Sequence, residues 1–207
     1  MPLHHDIAAL ILAGGRATRM GGIAKHEIIV RGETILARQR RALRHFEEII
    51  VSSPVEIEGV RTVRDAPEHE GIGPLAGIAA GLAATKWSWL FVVAGDMPNV
   101  SLPLIGHMVD LVDNAGRYAE EDHRPTWANV HAISVKRNQL PEPLFSMLRV
   151  SRARDVVRSM IEAREYKASK MLDALNAAYV SDEILRERDP DLRALHNINE
   201  PDDIAGE

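Results

Sequence analysis

The 207-residue chain contains no cysteine. Disulfides, thiolate nucleophiles and cysteine-ligated metal clusters are excluded together. Nothing points to an oxidising compartment, and the expectation is a cytoplasmic protein. The chain also lacks an excess of positive charge: 25 Lys and Arg stand against 30 Asp and Glu, a formal net charge of −5. General nucleic-acid binders are basic, so no nucleic-acid partner is expected, and a small anionic ligand held by a local basic site suits this balance better. No apolar run approaches the roughly 18 residues that cross a bilayer, so no membrane partner is expected. The run 7–13 is short and follows His4, His5 and Asp6 rather than Lys or Arg. It reads as a buried first strand, not a signal peptide. The nine histidines show neither H-E-x-x-H nor another metal-ligand spacing, and there is no G-x-S-x-G nucleophile elbow. Internal repeats and low-complexity tracts are missing too. The length suits one domain over 1–207.

What is present is an alternation of short apolar runs and amphipathic stretches. Strands are expected over 7–12, 27–30, 48–52, 61–63 and 89–94, with helices over 34–46 and 73–84. The second half is less regular. Helices are expected over 102–112 and 150–164, a strand over 127–135, and a short strand over 179–181. Continuous apolar strands separated by helices indicate a parallel sheet covered on both faces. The fold class is therefore α/β, a three-layer Rossmann-like fold with a mostly parallel central sheet.

The strongest local signal is the segment 10–22, Leu-Ile-Leu-Ala-Gly-Gly-Arg-Ala-Thr-Arg-Met-Gly-Gly, with Lys25 just beyond. A buried strand ends in Gly14 and Gly15. Glycine lets backbone approach a ligand closely, and successive exposed N–H groups form an anion-binding concavity. Arg19 and Lys25 add positive charge beside it, which is what a triphosphate requires. Neither G-x-x-x-x-G-K-[ST] nor G-x-G-x-x-G is present. A tight strand-to-helix turn with two surface cations reads the same spacing. The second signal is Leu90-Phe91-Val92-Val93-Ala94-Gly95-Asp96-Met97-Pro98, an apolar strand emerging onto an aspartate. Ligands of open α/β sheets bind outside the carboxyl ends of strands. A carboxylate there, beside a triphosphate, is suited to Mg²⁺; the alternative is an aspartate that caps a turn.

The segment 10–22 resembles the signature loop of the MobA-like nucleotidyltransferase family, which includes the molybdenum cofactor guanylyltransferases. Both glycine pairs, Arg19, Met20 and Lys25 match. Ala24 stands where the family carries Asp, and Thr18 lies one place beyond its usual serine. The resemblance implies a fold of the nucleotide-diphospho-sugar transferase type. It implies that Leu12, Ala13, Gly14 and Gly15 contact the nucleotide, that Lys25 contacts phosphate, and that Asp96 holds Mg²⁺. Gly95 replaces the family's Cys. The segment 73–78, Gly-Pro-Leu-Ala-Gly-Ile, is close to a family segment, with Gly77 allowing close helix packing. By the same resemblance Asp65 belongs to the nucleotide pocket, and Ser52, where relatives often have Asn, bonds the base or ribose. His196-Asn197-Ile198-Asn199 resembles the family's Asn-Ile-Asn ending, which lies near the acceptor or metal. An Asx-turn before a helix starting at Pro201 is the alternative. Arg124-Pro125-Thr126, with His123, stands where the family often shows His-Pro-Thr.

Four arginines, Arg149, Arg152, Arg154 and Arg158, form a second basic group, suited either to the acceptor's phosphate or to a solvated helix face. The resemblance implies guanylyl transfer from GTP to molybdopterin, with Mg²⁺ as cofactor and Arg19, Lys25 and Asp96 as the catalytic groups. Sister activities on the same scaffold are cytidylyl transfer to molybdopterin, and nucleotidyl transfer to a cobamide precursor or a phosphosugar. A non-catalytic nucleotide-binding protein is a different class. A nucleotide-sugar glycosyltransferase would carry a D-x-D motif, which Asp96-Met97-Pro98 does not supply.

Overall fold

A computed structural model of the chain describes residues 4–14, 16–17, 23–24, 27–115, 129–199 and 203–204. Its centre is a seven-stranded sheet. The strands are β1 (His4–Leu12), β6 (Phe46–Ser52), β7 (Arg61–Val63), β8 (Trp89–Ala94), β9 (Ala132–Arg137), β10 (Leu140–Arg149) and β11 (Ala178–Tyr179), in the order β11-β9-β10-β8-β1-β6-β7. The pairs β7–β6, β6–β1, β1–β8 and β9–β11 are parallel, and β10 runs antiparallel to both β8 and β9. Two small antiparallel pairs lie outside this sheet: β2 (Arg16–Ala17) with β3 (Ile23–Ala24), and β4 (Ile29–Val30) with β5 (Glu33–Thr34). The β4–β5 loop is Arg31-Gly32, both at positive φ, 50° and 81°, as a two-residue hairpin loop requires.

The central strands β8 and, from Ile7 onward, β1 read as continuous apolar runs because each face of the sheet is covered. Ile7, Ala9 and Ile11 point into one hydrophobic cluster with Phe91 and Val93. Ala8 and Leu10 point into the other with Leu90 and Val92, the two-residue period of a strand. On the first face lie α1 (Ile35–Ala42), α3 (Leu102–Ala115) and α6 (Asp182–Arg188). On the second lie α2 (Pro74–Ala84), α4 (Val150–Glu162) and α5 (Ala168–Ala174). Phe91 stacks on Phe46 at 5.6 Å and meets the Phe145 ring edge-on at 5.1 Å, joining β6, β8 and β10 on one face. The three-layer, mostly parallel architecture expected from the sequence is the one observed.

Several element boundaries differ from expectation. Helix α1 stops at Ala42, where Leu43 donates back to the Gln39 carbonyl at 2.8 Å, and Phe46 opens β6 instead of closing the helix. The strand expected over 127–135 is found at Ala132–Arg137. Strand β10 has no counterpart in the sequence pattern. It carries Pro141 and Pro143, residues that weaken a strand reading, and its pairing with β9 shifts register between Pro141 and Ser146. The hairpin into it turns on Asn138 and Gln139, both at positive φ, without a glycine. Helices α5 and α6 likewise go beyond the sequence pattern. Ser181, expected to close a strand, instead caps α6 by accepting from the Ile184 N–H at 3.3 Å.

Candidate active site

The parallel strands β1, β6 and β8 all end on one side of the sheet. Two hydrogen bonds carry their pairing beyond the strands: Ala13 N–H to the Ser52 carbonyl at 2.8 Å, and Gly95 N–H to the Leu12 carbonyl at 2.9 Å. Above these ends lies a cavity of about 400 Å³. Leu12, Gly14, Ala94, Gly95, Asp96 and Met97 form its middle. Ser52, Asp65, Gly77 and the start of α2 at Gly73-Pro74 line it toward β6 and β7. Glu142 and Leu144 of β10 line it on the opposite side, and Asn197 also borders it.

The glycines at this floor have different reasons to be glycine. A Cβ on Gly77 would stand 2.6 Å from Ser52 Oγ and 2.8 Å from Leu12 Cδ2, so a side chain there would push these two cavity-lining side chains aside. A Cβ on Gly95 would stand 2.6 Å from the Leu12 carbonyl oxygen. A side chain at this point would therefore collide with the backbone of β1. Gly14 is different again: among the described residues nothing lies within 4 Å of its Cβ position, and its backbone opens onto the cavity.

The described charged groups that line the cavity are all acidic: Asp65, Asp96 and Glu142. Asp65 accepts a long hydrogen bond from Ser52 Oγ at 3.4 Å. Loss of hydration at the cavity wall pushes its carboxyl above the ordinary aspartate value, against opposing pulls from Ser52 and His69. Glu142 is pushed up more by burial than by any other cause, and the Asp96 charge adds to the push. Arg137 and the Leu144 N–H act the other way. A polyanion enters such a cavity only with cations to offset these carboxylates.

The donor set fits Mg²⁺, which favours a few protein oxygens and completes its shell with phosphates and water. Asp96 is 9% exposed at the cavity floor. Asn197 Oδ1 is buried there with no hydrogen-bond partner among the described residues. Its neighbour Ile198 donates its N–H to the Asp96 carbonyl at 2.8 Å, which ties the two segments together. No group of three His, Cys, Asp or Glu among the described residues forms a metal cage of its own.

The residues singled out in the sequence fall into three groups. Leu12, Gly14, Ser52, Asp65, Gly77, Asp96 and Asn197 line the one cavity, and Ala13 sits behind it, 2% exposed, on its bond to Ser52. Gly15, Arg19 and Lys25 lie outside the described residues, as do His123, Arg124, Pro125, Thr126 and Pro201. Asn199 does not line the cavity; it is exposed, and its N–H is held by Asp203 Oδ2 at 2.7 Å. The alternation expected to bring both amides to one side delivers Asn197 alone.

The arginine group lies elsewhere. Arg149 pairs opposite Trp89, the first residue of β8, at the far end of the strand from Asp96. Its guanidinium lies 5.2 Å from the Trp89 ring centroid. Arg154 donates to the Leu82 and Thr85 carbonyls at 2.8 and 2.6 Å, closing the end of α2. Arg158 pairs with Asp155 at 2.6 Å. Sequence reasoning misses Glu142 and Leu144, because it misses the strand that carries them. The apolar stretch Leu144–Leu148, broken only by Ser146, is the one sequence feature near them.

Comparison with known proteins decides the family. The MobA-like NTP transferase domain matches residues 9–179. The chain belongs to this family. The molybdenum cofactor guanylyltransferase of Pseudomonas putida strain GB-1 is 30% identical over 204 residues, covering 95% of each chain. The crystal structure of molybdopterin-guanine dinucleotide biosynthesis protein A from Archaeoglobus fulgidus superposes with a TM-score of 0.76 at 26% identity, over 96% of this chain and 95% of that one. The 2-C-methyl-D-erythritol 4-phosphate cytidylyltransferase of Thermus thermophilus shares the fold at a TM-score of 0.63 and 14% identity, over 95% of this chain and 94% of that one. As a MobA-like NTP transferase, the chain is a nucleotidyltransferase, with the described parts of its family-like segments gathered around the cavity at the strand ends. No helix among the described residues is long and apolar enough to cross a membrane.

Proposed function

We propose that the protein transfers the nucleotidyl group of GTP to the phosphate of molybdopterin, releasing pyrophosphate. The observation that carries this reading is the meeting of Gly14 and Asp96 in one cavity, with different walls on either side. The nucleoside lies toward Ser52, Asp65 and the start of α2. The acceptor lies toward Glu142, Leu144 and Asn197. The names of the relatives support guanine and molybdopterin as the two partners.

An oxygen of the acceptor phosphate attacks the α-phosphorus. The bond from that phosphorus to the α,β-bridging oxygen breaks, and the electron pair leaves with pyrophosphate. A phosphate monoester is already anionic near neutral pH, so the chain need supply no general base. Its contribution is position and charge. The Gly14 backbone and the loop after it grip the triphosphate, and Arg19 and Lys25 offset charge on the departing pyrophosphate. Asp96 and Asn197 are the groups that would hold Mg²⁺. When bound, Mg²⁺ supplies charge neutralisation between the two anions and the acidic cavity.

The test is a thermal-shift screen of GTP, CTP, ATP and UTP, with and without Mg²⁺, followed by pyrophosphate release with molybdopterin. A nucleotide at 100 times its Kd stabilises by about 2.7 kcal/mol. GTP with Mg²⁺ should give the largest shift. Preference for CTP would move the activity to a cytidylyl transfer. Stabilisation by a nucleotide without pyrophosphate release on any acceptor would make the chain a nucleotide-binding protein only.

A further inference from the structure

Gln39 of α1 is completely buried, and a buried amide is costly unless its hydrogen bonds are made. Its Nε2 donates to the Ala94 carbonyl at 2.7 Å and to the Met97 carbonyl at 2.9 Å, while its Oε1 is buried with no hydrogen-bond partner among the described residues, so the amide is kept for its donor end despite that cost. Both partners are acceptors, so only the NH₂ end of the side chain can face them. These two carbonyls straddle Gly95 and Asp96. The Met97 N–H closes the same turn on the Ala94 carbonyl at 3.3 Å, placing Asp96 at its corner. Beside Gln39, Arg38 donates its Nε to the Pro98 carbonyl at 3.1 Å and Nη2 to Asn99 Oδ1 at 2.9 Å. With the Ile198 N–H on the Asp96 carbonyl, the backbone carbonyls of residues 94, 96, 97 and 98 are all held from outside the turn.

Packing alone does not call for glutamine here, since leucine or methionine would fill the space without an amide to satisfy. Donation alone does not call for it either, since lysine would donate as well. A cation beneath Asp96 would, however, draw the carboxylate toward itself and away from the cavity. Glutamine donates twice and carries no charge. We infer that Gln39 is a positioning residue: its grip on the Ala94 and Met97 carbonyls aims the Asp96 carboxylate into the cavity, where it takes up a divalent cation together with the nucleotide. This rests on the assignment of Asp96 as the metal-holding group under Proposed function.

The experiment measures GTP affinity by calorimetry in EDTA and in Mg²⁺, and Mn²⁺ binding to the GTP complex by electron paramagnetic resonance. Wild type, Gln39→Met and Leu43→Ala are compared. Leu43 is buried at the end of the same helix, and its side chain has no donor with which to hold a carbonyl of the turn, so its truncation loosens α1 while leaving the Gln39 hydrogen bonds in place. Gln39→Met should leave metal-free GTP affinity unchanged and weaken Mn²⁺ binding by about 10- to 100-fold, the range for residues that orient metal ligands. Leu43→Ala should lower the melting temperature and keep the metal-dependent gain. The inference is overturned if Gln39→Met retains the wild-type gain, or if Leu43→Ala loses as much of it. A wild-type protein that binds GTP no better with metal than without would instead overturn the assignment of Asp96.

Discussion

Substituting Gly95 by alanine tests the geometry at the centre of the site. The added Cβ would lie 2.6 Å from the Leu12 carbonyl oxygen, 3.1 Å from Ala13 Cα and 3.2 Å from the Leu12 carbonyl carbon. All three are backbone atoms, so no side chain can swing aside. The Leu12 carbonyl is also fixed in direction, because it accepts the Gly95 N–H at 2.9 Å, while Ala13 is tied to Ser52 at 2.8 Å. Relief therefore requires the ends of β1 and β8 to part. Overpacking of this kind costs about 1–3 kcal/mol, and weakening the Gly95–Leu12 bond adds about 1 kcal/mol. At about 2–4 °C per kcal/mol for a chain of this length, Tm should fall by about 5–15 °C. Parting the strands also moves Asp96 away from Gly14, so GTP affinity should fall beyond what the lost stability explains. The assay is thermal unfolding paired with calorimetric nucleotide binding below the transition. Gly14→Ala is the control: with no described residue within 4 Å of the new Cβ, its stability should stay within about 0.5 kcal/mol of wild type. A Gly95→Ala protein that melts within about 2 °C of wild type and binds GTP normally would refute the close approach of the two strands.

Two further outcomes can be checked on the same preparation. Asp96→Asn keeps the shape of the side chain and the backbone bond to Ile198, so circular dichroism should be unchanged while pyrophosphate release falls by about 100-fold or more; turnover within about tenfold of wild type would remove the carboxylate from the reaction. Glu142→Gln should change the pH dependence of stability in metal-free buffer. The folded protein holds the Glu142 proton more tightly than the unfolded chain does, chiefly because the carboxyl is buried. Its stabilising effect is therefore full below the ordinary value of 4.5 and is lost as pH rises through the higher folded value. The variant should melt with wild type at acid pH and above it at neutral pH, and parallel melting curves at all pH values would contradict the raised carboxyl.

The parallel half of the fold is legible in the sequence for a physical reason. Strand β8, the stretch of β1 from Ile7 and the stretch of β6 from Ile49 are covered on both faces and so read as apolar runs, each ended by a glycine or a polar residue. The sequence pattern bounds β8 correctly at Trp89–Ala94 and β7 at Arg61–Val63. The antiparallel strand is not legible. The first part of β10, Leu140 to Leu144, is exposed or half-buried, carries two prolines, and pairs through a register shift that no short-range pattern announces. Its partner β9 shows the same limit more mildly, displaced several residues from where its apolar stretch suggests.

The site divides along the same line, and this explains why its two halves differ in legibility. The half we propose for the nucleotide is built where parallel strands end and backbone must come close to ligand, so it is written in glycines and in an aspartate directly after an apolar run. Those requirements are local, and residues 12, 14, 77 and 96 express them wherever they occur. The half we propose for the acceptor depends on which strand lies beside β8. Glu142 faces Asp96 only because β10 inserts between β8 and β9 in the reverse direction. Asn197 reaches the cavity only because the chain returns after α6 and binds Asp96 through Ile198. The first contact leaves no trace in the spacing of nearby residues, and the second is signalled only by the family-like Asn-Ile-Asn ending. Gln39 is the extreme case: an unremarkable polar position on an amphipathic helix becomes, after folding, the donor beneath the turn that carries Asp96. Base and acceptor preference should therefore respond to different kinds of change, the first to substitutions within the loops, the second to anything that shifts β10 against β8.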